Sequence, residues 1–144
     1  MPARPLTYSP GVATVADLMT KDVLTVEPSD SIGEAAEKME AANVGAVVVT
    51  DFGRIVGIVT ERDLLRAVAA RARAAEARCR QWMTPDPVTI EPDTTVEDAA
   101  QIMFSRNFRH LPVVKDGRAL GIVSLRVLSR WAFDRAKESV GPAG

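Results

Sequence analysis

Residues 19–64 of the chain recur at 83–128, displaced by 64 positions without insertion or deletion. Met19-Thr20 returns as Met83-Thr84, Glu27-Pro28 as Glu91-Pro92, and Ala35-Ala36 as Ala99-Ala100. Met39, Asn43 and Val49 return as Met103, Asn107 and Val113. The strongest echo is Gly53-Arg54-x-x-Gly57-Ile58-Val59, written again as Gly117-Arg118-x-x-Gly121-Ile122-Val123. Eighteen of the 46 paired positions are identical, far above what average residue usage produces by chance. Repetition at a fixed period marks duplicated structural units that bury surface against each other. A fold made of two like halves places its function where they meet.

Each half reads in the same order. A short helical turn ends at Met19 or Met83. A β-rich stretch follows, Val23 to Val26 or Val88 to Ile90, stopped by Glu-Pro-Ser-Asp or Glu-Pro-Asp-Thr. Apolar residues then recur at helical spacing: Ile32, Ala35, Ala36 and Met39, and again Val96, Ala99, Ala100 and Met103. Ser31-x-x-Glu34 and Thr95-x-x-Asp98 are capping-box signatures for these helices. Two strands come next, Ala46 to Thr50 and Ile55 to Thr60, joined by Asp51-Phe52-Gly53. Their copies, Leu111 to Val114 and Ala119 to Ser124, are joined by Lys115-Asp116-Gly117, and Asp-Gly is a tight-hairpin signal. The Gly-Arg repeat equally suits a slightly longer turn. A last helix spans Glu61 to about Arg73, or Leu125 to about Ala136. The order β-α-β-β-α predicts an α/β (α+β) fold with helices covering small mixed sheets. The expected organisation is an extension at 1–13, a first repeat at 14–73, a linker at 74–78, a second repeat at 79–136 and a flexible tail at 137–144.

Composition narrows the class. With 47% hydrophobic and 26% charged residues in 144, the chain has the makeup of a soluble globular domain. A net charge of −1 provides no global field toward nucleic acid or membrane. Residues 1–11 carry Pro2, Pro5 and Pro10 and lack the apolar core of a secretory signal. The longest apolar run, Val44 to Val49, is too short to span a bilayer. Cys79, the single cysteine, excludes an internal disulfide framework and suits a cytoplasmic location. Its thiol reads as a bystander. Arg62, Arg66, Arg71, Arg73, Arg78 and Arg80 form a basic run, but alanines and acids dilute it and no aromatic residues interleave for base stacking. A solvated helix explains it better than a nucleic-acid surface.

The ordered set of motifs resembles the CBS domain pair, or Bateman module, over about Val15 to Arg130. It is carried by Met19-Thr20 and Met83-Thr84, the repeated Glu-Pro before each helix, and the repeated Gly-Ile-Val-(Thr/Ser). Gly57-Ile58-Val59-Thr60-Glu61-Arg62-Asp63 and Arg109-His110-Leu111-Pro112-Val113-Val114 complete it. The resemblance implies two pseudo-twofold repeats packed sheet to sheet, two clefts that often take adenine nucleotides, and commonly a dimer of modules. It implies a sensor acting on an effector. No effector domain accompanies the repeats, which suggests a stand-alone module.

Nothing in the sequence supplies a catalyst. His110 and Cys79 are the only residues of their types, lie on different predicted elements and have no activating neighbour. No HExxH, nucleophile elbow, Walker loop or GxGxxG occurs, so neither a metal nor a catalytic cofactor is expected.

Thr60-x-x-Asp63 follows a strand and opens a helix, where backbone N–H groups favour an anion. By the resemblance, Thr60 meets phosphate and Asp63 accepts from ribose hydroxyls. Thr-x-x-Asp is also a capping box, and the two roles can coexist. The resemblance completes this cleft, which begins at Thr60, Arg62 and Asp63, with Pro87 and Val88 flanking an adenine and with Phe108-Arg109-His110, of which Arg109 or His110 approaches the phosphates. Surface packing is an equal reading for Arg109 and His110. In the second copy Ser124 keeps the hydroxyl while Val127 replaces the acid. That weaker cleft is expected to present Val23, Leu24, Gly45, Ala46 and Ser124, with no cation.

The favoured function is therefore a regulatory module that binds AMP, ADP or ATP and signals to a partner protein. S-adenosylmethionine shares the adenosine but not the anionic end. A ligand-free adaptor is the competing class, and nucleic-acid binding is the least favoured. Amphipathic helix faces at Ile32 to Met39, Leu64 to Val68, Val96 to Phe104 and Leu125 to Trp131 point to a homodimer.

Overall fold

The computed structural model describes residues 13–140; most of the expected N-terminal extension and the last four tail residues lie outside this range. A 3-10 turn, Val15–Asp17, leads into β1 (Thr25–Val26), α1 (Ile32–Ala42), β2 (Ala46–Asp51), β3 (Arg54–Thr60) and α2 (Glu61–Ala69). The second half repeats the order with α3 (Cys79–Trp82), β4 (Thr84–Pro85), α4 (Val96–Arg106), β5 (His110–Lys115), β6 (Arg118–Ser124) and α5 (Leu125–Val140). The result is the expected mixed α/β architecture with one sheet per half.

The duplicated residues have duplicated jobs. Asn43 and Asn107 both adopt the left-handed conformation that ends a helix, with φ of 57° and 58°. The following amides, Val44 and Phe108, bond back to the carbonyls of Met39 and Met103, closing the helix as a Schellman motif. Asp51 pairs with Arg54 and Lys115 with Arg118, so both hairpins turn in two residues. Positive φ at Phe52 and Gly53, and at Asp116 and Gly117, makes both type I′ turns. The repeated arginines cross between halves: Arg118 donates to the Gly53 carbonyl at 3.3 Å and Arg54 to the Asp116 carbonyl at 3.5 Å. The sheets thus meet along β3 and β6.

The halves also exchange their leading segments. Cys79 and Met83 pack into the core of Val26, Ala35, Met39, Val47, Val49 and Val59. Val15, with Leu18 and Met19 beside it, packs into the core of Ile90, Val96, Ala99, Met103, Leu111, Val113 and Val123. Thr84 and Pro85 pair with Ile58 and Gly57, and Thr20 forms the matching bridge to Ile122. The repeated Gly57 and Gly121 follow from this exchange. A Cβ at Gly121 would stand 2.7 Å from Met19 Sδ, and one at Gly57 would collide with Met83 Sδ. Each repeat is completed by the chain that introduces the other.

Several boundaries differ from the sequence expectation for identifiable reasons. The Val88 to Ile90 stretch contributes only the bridge from Ile90 to Val113, because Pro85 and Pro87 remove ladder donors. Helix α2 stops at Ala69 rather than near Arg73. Arg71 takes a φ of 63° and the Ala72 amide reaches back to the Ala67 carbonyl, an ending without the usual glycine or asparagine signal. Helix α5 continues to Val140, past the Ala136 boundary, because Ala136 to Glu138 favour helix. The apolar stripes Ile32, Ala35, Met39 and Val96, Ala99, Met103 are buried within the chain, so they do not serve association. Leu65, Val68, Phe104 and Phe133 remain exposed.

Cys79 is fully buried. Burial, with Asp30 and Glu34 nearby and Lys38 opposing, pushes its thiol up to about 11. It is a core residue, protonated at neutral pH.

Candidate functional site

Thr60 ends β3 in extended conformation and caps α2. Its amide donates to Asp63 Oδ2 at 2.8 Å and its hydroxyl donates to the same oxygen at 3.1 Å. The Asp63 amide returns a bond to Thr60 Oγ1, so the capping box is complete. The other carboxylate oxygen faces the second half. Asp63 Oδ1 accepts from Arg66 Nη2 at 2.8 Å and from the Thr84 hydroxyl at 3.2 Å. Arg66 also donates to the Trp82 carbonyl at 3.2 Å, with its guanidinium 5.9 Å from the Trp82 ring centroid. Asp63 is 3% exposed; a buried carboxylate is tolerable because every oxygen is bonded.

This network floors a cavity of about 340 Å³ between the halves. Thr60, Arg62, Asp63, Pro87, Val88, Phe108, Arg109 and His110 all line it. Its apolar lining is Ile58, Leu65, Pro87, Val88, Phe108 and Pro112, and its charged and ring-nitrogen groups are Glu61, Arg62, Asp63, Arg109 and His110 around the α2 N-terminus. Apolar residues beside arginines and a helix N-terminus suit a small ligand with an apolar body and an anionic group. Thr84 and Asn107 also line it and were missed by sequence reasoning. Both sit at repeated positions, Thr84 echoing Thr20 and Asn107 echoing Asn43, and that echo was the available signal.

His110 occupies the partition. Gly45 leaves room for it: a Cβ there would lie 3.0 Å from His110 Cε1 and 2.8 Å from Glu61 Oε1. Burial lowers the His110 pKa; Glu61 opposes this and Arg109 adds to it. Within this site His110 is a neutral imidazole at pH 7, and Arg62 and Arg109 are exposed cations.

The second cleft is larger, about 910 Å³, and Val23, Leu24, Gly45, Ala46 and Ser124 all line it. Its floor is simpler, with Ser124 Oγ accepting from the Val127 amide at 3.2 Å and no carboxylate at the Asp63 position. The expectation that this cleft lacks cations is corrected: Arg126 lines it, and Arg109 and His110 border both cavities. They reach it because β5 forms the shared wall. Asp22, Glu40 and Glu61 line it as well, and three carboxylates offset the two arginines toward an anion.

Among the described residues no cluster of His, Cys, Asp and Glu is arranged to hold a metal. No helix there is long and apolar enough to cross a membrane.

Comparison with known proteins gives the same architecture. The sequence profile of the CBS domain matches residues 15–70 and again 79–134. A 17.7 kDa uncharacterised protein of Acidianus ambivalens is 42% identical over 83% of this chain and 73% of its own length. The CBS domain-containing protein YhcV of Bacillus subtilis is 35% identical, covering 92% of this chain and 93% of itself. Among solved structures, the CBS-domain protein ATU1752 of Agrobacterium tumefaciens superposes with a TM-score of 0.77 at 41% identity, over 85% of this chain and 96% of its own. The CBS domain protein PAE2072 of Pyrobaculum aerophilum, solved in complex with AMP, gives 0.74 at 30% identity over 80% and 89%. The CBS pair of protein MJ0100, solved with 5′-methylthioadenosine and S-adenosyl-L-methionine, gives 0.80 at 30% identity over 88% and 99%. The chain belongs to the CBS domain family, as a tandem pair forming a regulatory module.

Proposed function

We propose that this CBS pair senses an adenine nucleotide, AMP or ADP before ATP, bound once per chain in the 340 Å³ cavity, and passes its occupancy to a partner protein. The observation that carries this reading is the convergence of eight residues from both halves on one cavity. Thr60, Arg62 and Asp63 come from one side, and Pro87, Val88, Phe108, Arg109 and His110 from the other. The AMP complex of PAE2072 supports the ligand class. The methylthioadenosine and S-adenosylmethionine complex of MJ0100 supports an adenosine pocket more generally. Arg62 and Arg109 at the polar end favour phosphate over a sulfonium.

Calorimetry with AMP, ADP, ATP, S-adenosylmethionine and adenosine tests the reading. Saturable heat near one AMP per chain, with weaker binding of adenosine, is expected. Absence of heat with every ligand overturns it in favour of a ligand-independent adaptor. That alternative draws support from the Asp63 carboxylate, whose oxygens are already bonded within the protein.

The module is further proposed to work as a homodimer. Leu65 and Val68 lie three residues apart on α2 and are 68% and 64% exposed, an apolar pair on one helix face. Light scattering at tens of micromolar should give twice the chain mass; a monomer mass removes this part of the proposal.

A further inference from the structure

The Asp63 carboxylate offers no vacant oxygen, and this constrains how any ligand can use it. Oδ2 is held by the Thr60 amide and hydroxyl, within the same helix cap. Oδ1 is held from outside the cap, by Arg66 and by Thr84. A carboxylate has about four acceptor positions, and all four are taken. A hydroxyl donor arriving in the cavity must displace one existing donor. Breaking the cap would unsatisfy a backbone amide, which is costly when buried. The two donors outside the cap are different: the Thr84 hydroxyl lines the cavity and can turn away, and the Arg66 side chain is 52% exposed, so water replaces its lost contact at little cost.

Resting on the nucleotide reading above, we infer that a ligand hydroxyl pair engages Asp63 by displacing the two donors that hold Oδ1, Arg66 and the Thr84 hydroxyl. Arg66 thereby becomes the element that reports occupancy to the chain joining the two halves. The geometry supplies the route. Arg66 bonds the Trp82 carbonyl and lies over its ring, and Trp82 ends α3, directly before β4, the strand that crosses to the first sheet. Neither Arg66 nor Trp82 lines the cavity, while Asp63 does, so occupancy passes from Asp63 through Arg66 to Trp82. In the empty state Arg66 ties α2 to α3; in the filled state that tie is released.

The second cleft has no such device. Val127 stands where Asp63 would be, and the position matching Arg66 is Arg130, which is paired instead with Asp134 at 3.7 Å. Occupancy is therefore reported from one side of the molecule.

The test uses the full chain carrying Trp131→Phe, which leaves Trp82 as the sole tryptophan. AMP should change Trp82 emission saturably, with the midpoint found by calorimetry. Arg66→Met should lose most of that change, at least fivefold, while calorimetry still registers AMP. Removing the competitor should leave affinity unchanged or up to several-fold tighter. Arg66→Lys, which keeps charge but not the fork, should lie between. Emission that responds equally in Arg66→Met, or AMP heat with no emission change in the parent, overturns the coupling alone. No AMP heat in any variant overturns the nucleotide reading and the coupling with it.

Discussion

The two clefts begin from nearly the same sequence and end as different sites. Thr60 and Ser124 occupy the same place in their repeats, each closing a strand and capping a helix. Three residues on, Asp63 accepts four hydrogen bonds and ties its helix to the other half, while Val127 accepts none through its side chain. The opposite walls diverge in a matched way. Arg109-His110 stand where the first repeat has Gly45-Ala46, and the small Gly45 is what lets His110 enter the partition. These three differences in a duplicated frame give the two clefts different chemistry: the smaller is lined by Glu61 and Asp63 with Arg62 and Arg109, the larger by Asp22, Glu40 and Glu61 with Arg109 and Arg126. Cleft size follows the loss of side chains; chemistry follows their placement.

The sharpest way to break this comparison is to remove the acid. Asp63→Ala strips the Thr60 amide of its partner and severs the bridge to Thr84. It should destabilise the chain by about 2–3 kcal/mol, lowering the melting temperature by about 5–10 °C, and weaken AMP binding tenfold or more. Ser124→Ala should cost about 1 kcal/mol or less and leave AMP affinity nearly intact. Equal losses from the two substitutions, in melts or in calorimetry, would show the clefts to be equivalent.

The cationic wall comes next. Arg109→Ala should weaken AMP about tenfold, the scale of a charge-assisted bond, and uncharged adenosine less than twofold. Equal losses for both ligands would mean that Arg109 does not read phosphate. A gain of function sharpens the contrast from the other side. Val127→Asp recreates a capping box with Ser124 and meets Thr20, which sits on β6 as Thr84 sits on β3. It should stabilise by about 0.5–1 kcal/mol and move AMP stoichiometry from one toward two. Unchanged stoichiometry would show that the carboxylate rim of the second cleft, rather than its missing acid, excludes the anion.

Much of this was legible from the repeat. A fixed 64-residue offset exposed the halves, and the paired turn, helix and strand signals gave their order without a ladder in view. The convergence of Thr60 and Asp63 with Pro87, Val88 and Arg109 needed the family resemblance, because no local pattern places residues 20 to 50 positions apart in one cavity. The exchange of leading segments was not legible. Met19 and Met83 stand out as repeated motif residues, but their spacing does not say that each packs against the other half, and only the glycines they cover, Gly121 and Gly57, carry a trace of it. Nor did spacing reveal that Asp63 is saturated: Arg66 stands at i+3 on the same helix, but Thr84 reaches it from another element. The lack of cations in the second cleft failed as an expectation for a related reason: a shared wall lends Arg109 and His110 to both sides.

The smallest expected effect concerns His110, where the sign is fixed by its surroundings. Burial holds its folded pKa below the reference value near 6.5, with Arg109 acting in the same direction and Glu61 against it. As pH falls through 6.5 the unfolded chain takes up a proton before the folded one does. Folding stability is therefore full above about pH 6.5, declines as pH drops below it, and levels off beneath the folded pKa. His110→Gln should remove that component of the slope in urea melts run between pH 5 and 8. Ligand binding runs the other way, since a bound phosphate favours the protonated ring. Relative to His110→Gln, which shares the phosphate's own titration, AMP should tighten about two- to fivefold on acidification, while adenosine stays flat. A rise shared by adenosine, or one that His110→Gln retains in full, would take His110 off the phosphate and leave Arg109 alone on that side.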